Sequence, residues 1–213
     1  NPSGVDPSLK QWQQFIDFCT AKKIIPFIDI AYQGFGDSPD QDAAGLRMFV
    51  EQVDLVLVAA SCSKNMGLYC ERAGVAMVVT KDHSQHTKIR MLLERITRII
   101  YSMPPNHGSA IASLLFSDPK PWLVELTVCR ERINDLRKAL GKLLAEMGAP
   151  DSFQAVTRQK GMFSLLPLTA EQMNVLRDKY AIYGMLNGRI NIAGLKQDQI
   201  QYLASALVEV SKV

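Results

Sequence analysis

Residues 55–65 read Leu-Val-Leu-Val-Ala-Ala-Ser-Cys-Ser-Lys-Asn, an apolar run that passes directly into a short polar one. An apolar run without alternation is typical of a strand buried on both faces, and Leu55–Ala59 is predicted as such a strand. Further strands are expected at Ile24–Ile30, paired only beyond Pro26, and at Val75–Thr80. Because helical patterns lie between these strands, we predict an α/β fold with a mostly parallel sheet and helices on both of its faces.

The helices around these strands are predicted from cap residues and apolar spacing. Asp6 followed by Pro7 is typical of a helix start, and Ser38 followed by Pro39 predicts a second one. A third helix is expected from about Ser84 to Tyr101. The inward positions of the first and third helices are expected to be Leu9, Trp12, Ile16 and Cys19, and Ile89, Leu92, Leu93, Ile96 and Ile100.

The pattern changes after Phe116, where a long helix is expected to carry apolar residues at spacings of three and four until Gly148 ends it. We therefore expect a domain boundary near residue 118 and a smaller α+β domain after it. The elements predicted in that domain are strands at Met162–Leu166 and Arg189–Ala193, a helix opened by the capping box of Thr169 and Gln172, and a last helix over Lys196–Val210.

The composition is that of a globular protein and excludes several other classes. The chain has 213 residues, of which 47% are hydrophobic, and 24 Lys and Arg against 21 Asp and Glu give a net charge of +3. This charge is too small to indicate binding to nucleic acid or to an anionic membrane surface, and no apolar run reaches the ~20 residues of a membrane span. The cysteines lie too far apart for Cys-x-x-Cys chemistry, so we expect no metal site and reduced thiols in the cytoplasm; they are Cys19, Cys62, Cys70 and Cys129.

Lys64 is the first candidate site residue, because it lies on a polar loop directly after a predicted buried strand. Ligands of open α/β sheets bind at such strand ends. Ser61, Ser63 and Arg72 nearby carry hydroxyls and a guanidinium that suit a phosphate group. Considered alone, however, Lys64 is more typical of an ordinary surface lysine.

Asp29 is the second candidate, because it lies near the end of the neighbouring predicted strand. A carboxylate there is costly unless a cationic or hydrogen-bonding partner meets it. The alternative is a turn or helix-capping Asp beside a core Tyr32. The pair Gly34-x-Gly36 lacks the third glycine of G-x-G-x-x-G, so a dinucleotide-binding turn is rejected.

Several motifs follow one another in an order that matches a known family. They are Asn1-Pro2-Ser3-Gly4, Asp29-Ile30-Ala31-Tyr32-Gln33-Gly34-Phe35, Ser61-Cys62-Ser63-Lys64-Asn65-Met66-Gly67-Leu68, Tyr101-Ser102-Met103-Pro104-Pro105-Asn106-His107-Gly108, Gly161-Met162-Phe163-Ser164 and Asn187-Gly188-Arg189-Ile190-Asn191. In this order they resemble the class I aminotransferases that use pyridoxal 5'-phosphate, specifically the aspartate aminotransferase branch. The resemblance extends over essentially the whole chain, which is similar to the C-terminal half of such enzymes.

This resemblance implies the fold of the type I pyridoxal-phosphate enzymes. Residues 1–118 would form the C-terminal part of the large α/β domain that binds the cofactor. Residues 119–213 would form the long linking helix and the small C-terminal α+β domain. The family's Ser-Gly-Thr turn, which binds the phosphate, and its aromatic residue stacked on the cofactor ring would precede Asn1.

The resemblance also implies which residues bind the cofactor. Lys64 would bind its aldehyde covalently and then move the proton between the substrate's α-carbon and the cofactor's C4′ carbon, which needs a neutral amine. Asp29 would keep the pyridine nitrogen protonated. The other residues implied are Asn1 and Tyr32 at the phenolic oxygen of the ring, and Ser61, Ser63 and Arg72 at the phosphate. Lys64, Asp29 and Tyr32 are thus the implied catalytic residues.

Substrate binding is implied at three further residues. Arg189 would bind the α-carboxylate in a bidentate way, with Phe163 also at the substrate. Arg98 stands where an arginine of the family crosses into the neighbouring subunit's active site and binds a side-chain carboxylate, which implies a homodimer with shared sites. Ser102 would lie near the neighbour's cofactor phosphate. The alternative for Arg98 is a solvated residue on the polar side of its helix.

The implied reaction is reversible transfer of the amino group from L-aspartate to 2-oxoglutarate, which gives oxaloacetate and L-glutamate. Met103 stands where the aspartate branch usually has Asn, so an aromatic or broad-specificity aminotransferase is one alternative. A non-catalytic fragment of such an enzyme is the other. The cytoplasm is the expected location, with the mitochondrion as the alternative.

Overall fold

The computed structural model describes residues 3–212, and the chain divides into two compact units. One unit is Pro7–Thr127, and the other combines Asn1–Asp6 with Val128–Val213. The helices are α1 (Leu9–Lys22), α2 (Pro39–Asp42), α3 (Ala44–Gln52), α4 (His86–Tyr101), α5 (His107–Ser117), α6 (Pro119–Glu146), α7 (Ala155–Arg158), α8 (Ala170–Tyr180) and α9 (Ile200–Val210). The strands are β1 (Phe27–Ile30), β2 (Leu55–Ser61), β3 (Gly74–Thr80), β4 (Phe163–Leu165) and β5 (Arg189–Asn191). The sequence-based expectations include a counterpart for each of these strands but none for α5 or for the short helix α7.

Helix α1 begins later than its predicted cap. Its N-cap is Ser8, whose Oγ accepts a hydrogen bond from the Gln11 N–H at 3.3 Å, while Gln11 Oε1 accepts one from the Ser8 N–H at 2.8 Å. This reciprocal pair is a capping box, which satisfies two N–H groups at the helix start. The prediction of Asp6 as the N-cap is therefore wrong. The prediction of Ser38 as the cap of α2 is confirmed.

The sheet of the first unit has the strand order β1-β2-β3. Strand β1 begins directly after Pro26, as predicted, and pairs with β2 in parallel, with Asp29 opposite Ala59. Strand β3 pairs with β2 in the antiparallel direction. The sheet of this chain is therefore mixed: β1 and β2 pair in parallel, as predicted, and β3 is its antiparallel strand.

The connection between β2 and β3 explains this direction. A parallel return needs a crossover of a dozen or more residues, which is usually a helix. Residues 62–73 form turns and irregular backbone without a helix, and the Cys62 N–H donates to the Ala73 carbonyl at 3.1 Å. The chain therefore folds back beside β2, and the loop that carries Lys64 is the wide end of a hairpin.

Helices α1 and α3 pack against one face of this sheet. Ile16 of α1 and Phe49 of α3 are buried with Val56 and Val58 of β2. The alternate residues Val56 and Val58 of β2 thus face these helices. Leu9, expected to face inward, is exposed.

Helix α4 does not bury its apolar side within the first unit. Every residue of α4 is described, and none of them is buried. Leu92, Ile96 and Ile100 were expected to face inward, yet all three are exposed, as are Met91 and Ile99. The prediction of a helix is confirmed, whereas the prediction that its apolar side faces the core of this chain is wrong.

The second unit is built around a two-stranded sheet and the later helices. Strands β4 and β5 are antiparallel, with Phe163 opposite Asn191 and Leu165 opposite Arg189. The capping box of Thr169 at the start of α8 is present, as predicted. The largest fully buried side chains of this unit are Leu140, Leu144, Phe153, Val156, Met173, Leu176, Ile192, Ile200 and Leu207. No helix within residues 3–212 is long and apolar enough to cross a lipid bilayer.

Candidate active site

The carboxyl ends of β1 and β2 lie at one edge of the sheet, because the two strands are parallel. Tyr32 follows β1 and Lys64 follows β2, so both start from this edge. Asp29 is the third of the four residues of β1 and pairs with Ala59 of β2. Asp29 is exposed in this chain, so its carboxylate does not carry the desolvation cost that a buried strand end would impose.

Lys64 and Tyr32, two of the predicted catalytic residues, are in contact. Lys64 Nζ lies 4.9 Å from the centroid of the Tyr32 ring, within the range of a cation–π interaction. Both residues are half-buried. None of the ion pairs found within residues 3–212 includes Lys64. The Tyr32 ring therefore positions the Lys64 amine, which forms no ion pair with a carboxylate within residues 3–212.

The loop around Lys64 is held by its own backbone. The Met66 N–H donates to the Cys62 carbonyl at 3.3 Å, and the Gly67 N–H donates to the Lys64 carbonyl at 3.2 Å. Gly67 has a φ of +68°, a conformation that glycine adopts without strain. From the other side, the Trp122 indole N–H donates to the Asn65 carbonyl at 2.5 Å. These bonds restrict the backbone from which the Lys64 side chain extends.

The residues predicted to bind a phosphate flank this loop. Ser63 is buried, and its N–H donates to Ser61 Oγ at 3.1 Å, so the two serines lie together. Arg72 lies at the far end of the loop with a φ of +53°, and its Nη1 donates to the Tyr69 carbonyl at 3.1 Å. Arg72 is exposed, so its guanidinium is accessible to an anion.

A contact between the loop and α5 supports the position of Arg72. His107 Nδ1 lies 2.7 Å from Glu71 Oε2. Gly108 lies so close to this turn that an added Cβ would come within 2.9 Å of the Cβ atoms of Glu71 and Ala73. The His107-Gly108 motif therefore has a physical role, since it lets the start of α5 pack against the turn that carries Arg72.

Asp42 fixes the segment that follows Tyr32, a role that the sequence-based reasoning missed. Its Oδ2 accepts hydrogen bonds from the N–H groups of Gly34 and Gly36 at 2.8 and 2.9 Å, and its Oδ1 accepts one from Asp37 at 2.8 Å. An added Cβ at Gly36 would lie 2.5 Å from Asp42 Oδ1. The two glycines therefore let the backbone wrap around one carboxylate. A Gly-x-Gly followed by an acidic residue was the available signal.

Replacing Asp42 with Asn is expected to lower the free energy of unfolding by about 1–3 kcal/mol, because an amide nitrogen cannot accept the bonds that a carboxylate oxygen accepts. The measurement is urea unfolding of the full chain, followed by circular dichroism. The control is Asp40→Asn, which removes an exposed ion pair with Arg47 at 3.2 Å and is expected to change stability by about 0.5 kcal/mol or less. Equal losses in the two variants would contradict the role of Asp42.

A cavity of about 520 Å³ lies beside the Lys64 loop. Its lining includes Ser61, Cys62, Asn65, Phe116 and Trp122. Burial raises the pKa of the Cys62 thiol, so this sulfur is protonated at neutral pH. Asn65 Oδ1 is buried and has no hydrogen-bond partner within residues 3–212. Within the same residues no cluster of three or more His, Cys, Asp or Glu side chains could hold a metal ion.

Arg189 and Phe163, the predicted substrate-binding pair, are in contact within the second unit. The Arg189 guanidinium carbon lies 4.2 Å from the centroid of the Phe163 ring. The Arg189 N–H donates to Asn187 Oδ1 at 3.2 Å, and Gly188 before it has a φ of +84°. The Asn187-Gly188 turn therefore sets the start of β5, from which Arg189 extends.

The remaining predicted residues lie on α4 and at the N-terminus. Arg98 is exposed on α4, and its carbonyl accepts a hydrogen bond from the Ser102 N–H at 3.2 Å. Ser102 ends the helix with a φ of +65°, a backbone conformation that is strained for serine. Asn1, predicted to contact the cofactor ring, lies outside the described residues.

Comparison with known proteins identifies the family of the chain. The family model for class I and II aminotransferases matches residues 1–207. An aspartate aminotransferase of Pseudomonas aeruginosa is 39% identical over 213 residues, which are 99% of this chain and 54% of that protein. An aromatic-amino-acid aminotransferase of Paracoccus denitrificans is 38% identical over 213 residues, again 99% of this chain and 54% of that protein.

The same relation holds for solved structures. The crystal structure of an aromatic-amino-acid aminotransferase from Burkholderia pseudomallei, covalently bound to pyridoxal phosphate, superposes with a TM-score of 0.95 at 37% identity. The match covers 99% of this chain and 54% of that one, so the chain spans about half the length of the relatives it matches. Because the family model matches nearly the whole chain and the fold agrees, the chain belongs to the class I and II aminotransferases, with the α/β architecture of the type I pyridoxal-phosphate enzymes.

Proposed function

We propose that the protein containing this chain is an aspartate aminotransferase that uses pyridoxal 5'-phosphate. It would transfer the amino group of L-aspartate to 2-oxoglutarate and so produce oxaloacetate and L-glutamate. The observation that carries the proposal is the Lys64 amine against the Tyr32 ring, at the edge where two parallel strands end. The names of several relatives support the reaction class.

The residues at this edge fit the cofactor by their chemistry. A phosphate needs hydroxyl and guanidinium donors, and Ser61, Ser63 and the exposed Arg72 provide them. A pyridinium nitrogen needs an accessible carboxylate, and Asp29 is exposed. An aldehyde needs an amine without a carboxylate partner, which describes Lys64 in the part of the chain that the structure describes. When bound, pyridoxal phosphate supplies a ring that accepts the electrons released at the substrate's α-carbon.

The side chains of this unit would then bind and move protons. Lys64 would attach the cofactor and carry a proton to and from the substrate's α-carbon. Asp29 would hold a proton on the pyridine nitrogen by its charge. Tyr32 would donate a hydrogen bond to the phenolic oxygen of the ring and would restrict the Lys64 side chain through the cation–π contact. Asn1 would also donate a hydrogen bond to the phenolic oxygen of the ring.

Arg189 would bind the α-carboxylate of the substrate. A guanidinium forms two parallel hydrogen bonds to a carboxylate, which fix both position and orientation. The Phe163 ring on one face of the Arg189 guanidinium supports this role, because stacking leaves the edge of the guanidinium available for those bonds. Phe163 would also exclude water from one side of the bound carboxylate.

The functional unit would be a homodimer with shared active sites. Helix α4 supports this proposal, since its apolar residues Met91, Leu92, Ile96, Ile99 and Ile100 are exposed along one helix. An apolar side of this extent is costly in water and is typical of an interface. We propose that a second copy covers it, and that Arg98 on the same helix reaches the neighbour's substrate.

Two alternatives remain beside the aspartate reaction. An aromatic or broad-specificity aminotransferase is supported by relatives with the former name, and by Met103 in place of Asn. A non-catalytic fragment is the other alternative. We propose a cytoplasmic location, supported by four free cysteines, with the mitochondrion as the alternative.

Replacing Arg98 with Leu tests the aspartate reaction against the aromatic one. If Arg98 binds the second carboxylate, the variant should lose kcat/KM for aspartate more than kcat/KM for phenylalanine. The difference in lost transition-state stabilisation should be about 2–4 kcal/mol, because a buried carboxylate loses its partner. The assay uses the holoenzyme that contains this chain. Arg95→Leu, on the same exposed helix, is the control and should affect both substrates equally. Equal and small effects of Arg98→Leu on both substrates would contradict this role and favour a solvated arginine on the polar side of the helix.

Mixed dimers test whether the site is shared. Subunits with Arg98→Leu are combined with subunits carrying Lys64→Ala, and only the mixed dimer can assemble one site with both residues intact. Recovery of aspartate activity is the expected result. Its absence, in a mixture shown by native mass spectrometry to contain mixed dimers, would contradict the shared site.

A further inference from the structure

Arg137 of α6 is a buried cation that the proposed reaction does not use. It is 2% exposed, and within residues 3–212 no other charged side chain is buried. Burial lowers the pKa of its guanidinium to about 10, so it still carries its charge at neutral pH. None of the ion pairs within the described chain includes it. A charge buried without a carboxylate must be stabilised by other acceptors.

Those acceptors lie mainly on one short segment, Gly161–Ser164. Arg137 Nη2 donates to the Gly161 carbonyl at 2.5 Å and to the Phe163 carbonyl at 3.3 Å. Its Nη1 donates to Ser164 Oγ, and to the Val156 carbonyl at 3.5 Å. Ser164 is fully buried, so water cannot replace Arg137 as its partner. Hydrogen bonds from a charged donor are stronger than neutral ones, which makes this guanidinium an effective clamp on the segment.

The clamped segment carries the aromatic partner of Arg189. Phe163 begins β4, and β4 and β5 are three-residue strands that pair only with each other in the described chain. An isolated pair of such short strands is marginally stable by itself. The position of the Phe163 ring, 4.2 Å from the Arg189 guanidinium, therefore depends on what holds the β4 backbone.

We propose that Arg137 is a positioning residue for the substrate-carboxylate site: it holds Gly161–Ser164 so that Phe163 stacks on Arg189 and limits the conformations of its guanidinium. This inference rests on the proposed function in one respect, the binding of a carboxylate by Arg189. A stacked guanidinium loses less conformational entropy when it binds, so the clamp raises affinity without contacting the ligand. The planar fork of Arg137 suits acceptors on two sides, which Lys could not reach together.

The test measures the stacking directly, in the full chain without any ligand. A ring below a guanidinium moves the Arg189 Nε–H and Cδ–H proton resonances upfield, and NMR detects this shift. In Arg137→Met the upfield shift should be largely lost. The matched control is Leu144→Ala, which removes a fully buried side chain of the same helix and destabilises the unit by a cavity, while the Arg137 guanidinium stays in place. The control should retain the shift.

Two results would overturn the inference. One is an unchanged Arg189 shift in Arg137→Met, and the other is an equal loss in Leu144→Ala, which would mean that Arg137 acts only through stability. If Arg137→Met does not fold, Arg137→Lys decides, because it keeps the charge and the aliphatic stem but lacks the fork. Its shift should also be reduced, and a full shift would overturn the inference.

Succinate, a dicarboxylate without an amine, separates this inference from the proposed function. Titrated into the full chain, it should move the Arg189 resonances, and its Kd should rise ~10- to 100-fold in Arg137→Met, the range expected for a misplaced binding group. If succinate leaves Arg189 unaffected in the unmodified chain, the carboxylate role of Arg189 fails. The stacking measurement still decides whether Arg137 positions Phe163.

Discussion

Replacing Lys64 with Ala is expected to lower the aminotransferase activity of the holoenzyme by at least ~10⁴-fold, the upper range for loss of a positioned proton carrier. The methyl group of Ala can neither attach the cofactor nor carry a proton at the substrate's α-carbon. The position of Lys64 on a loop held by backbone hydrogen bonds means that the fold should survive the change. The loss should therefore be one of chemistry, with thermal stability close to that of the unmodified enzyme.

Peptide mapping identifies the lysine independently of rate. Borohydride reduction of the holoenzyme should leave the pyridoxyl group on the peptide that contains Lys64, and Lys64→Ala should leave no labelled peptide. The control is Lys81→Ala, since Lys81 is a half-exposed lysine that lies 3.8 Å from Asp54, and this variant should keep both the label and the activity. A label on any other lysine would contradict the assignment.

The part of this site that could be predicted depends on local sequence and on strand direction. An unbroken apolar run before Lys64 predicts β2, and Pro26 limits the start of β1, both as observed. Since β1 and β2 are parallel, the residues after each of them start from the same edge, which is why Lys64 and Tyr32 meet. Local pattern and one pairing rule are sufficient for that contact.

The direction of β3 could not be predicted in the same way. A strand pattern describes which faces are buried and carries no information on which way the strand runs. The direction depends on the connection, and the turns of residues 62–73 contain no helix that could carry the chain back to the other end of the sheet.

Asp42 and Arg137 could not be found from the apolar pattern of their own helices. Each acts on a segment outside its helix: Asp42 on Gly34–Asp37, and Arg137 on Gly161–Ser164. A polar residue in a helix is by default a solvated one. The donors to Asp42 lie five to eight residues before it, so a local signal was available for that residue. Only the tertiary arrangement brings a cluster of acceptors to Arg137.

Replacing Asp29 with Asn is expected to reduce kcat of the holoenzyme roughly 10²- to 10³-fold. This corresponds to a loss of about 3–4 kcal/mol of transition-state stabilisation, the usual loss for a preorganised electrostatic group. Asn keeps the shape of Asp but carries no charge, so the pyridine nitrogen would lose the carboxylate that we propose keeps it protonated. Asp29 is exposed in this chain, and the free energy of unfolding should therefore change by about 0.5 kcal/mol or less. The two measurements separate an electronic role from a structural one.

A cofactor analogue completes the test of Asp29. Pyridoxal phosphate methylated on the pyridine nitrogen carries a fixed positive charge, so it should restore much of the lost activity in Asp29→Asn. Asp54→Asn, at the other end of the sheet where Asp54 meets Lys81, is the control and should keep normal kcat with either cofactor. Near-normal kcat in Asp29→Asn would mean that the pyridine nitrogen lies elsewhere. A loss of kcat that the methylated analogue does not reduce would mean that Asp29 acts by orienting the ring, because the charge would then have been supplied without effect.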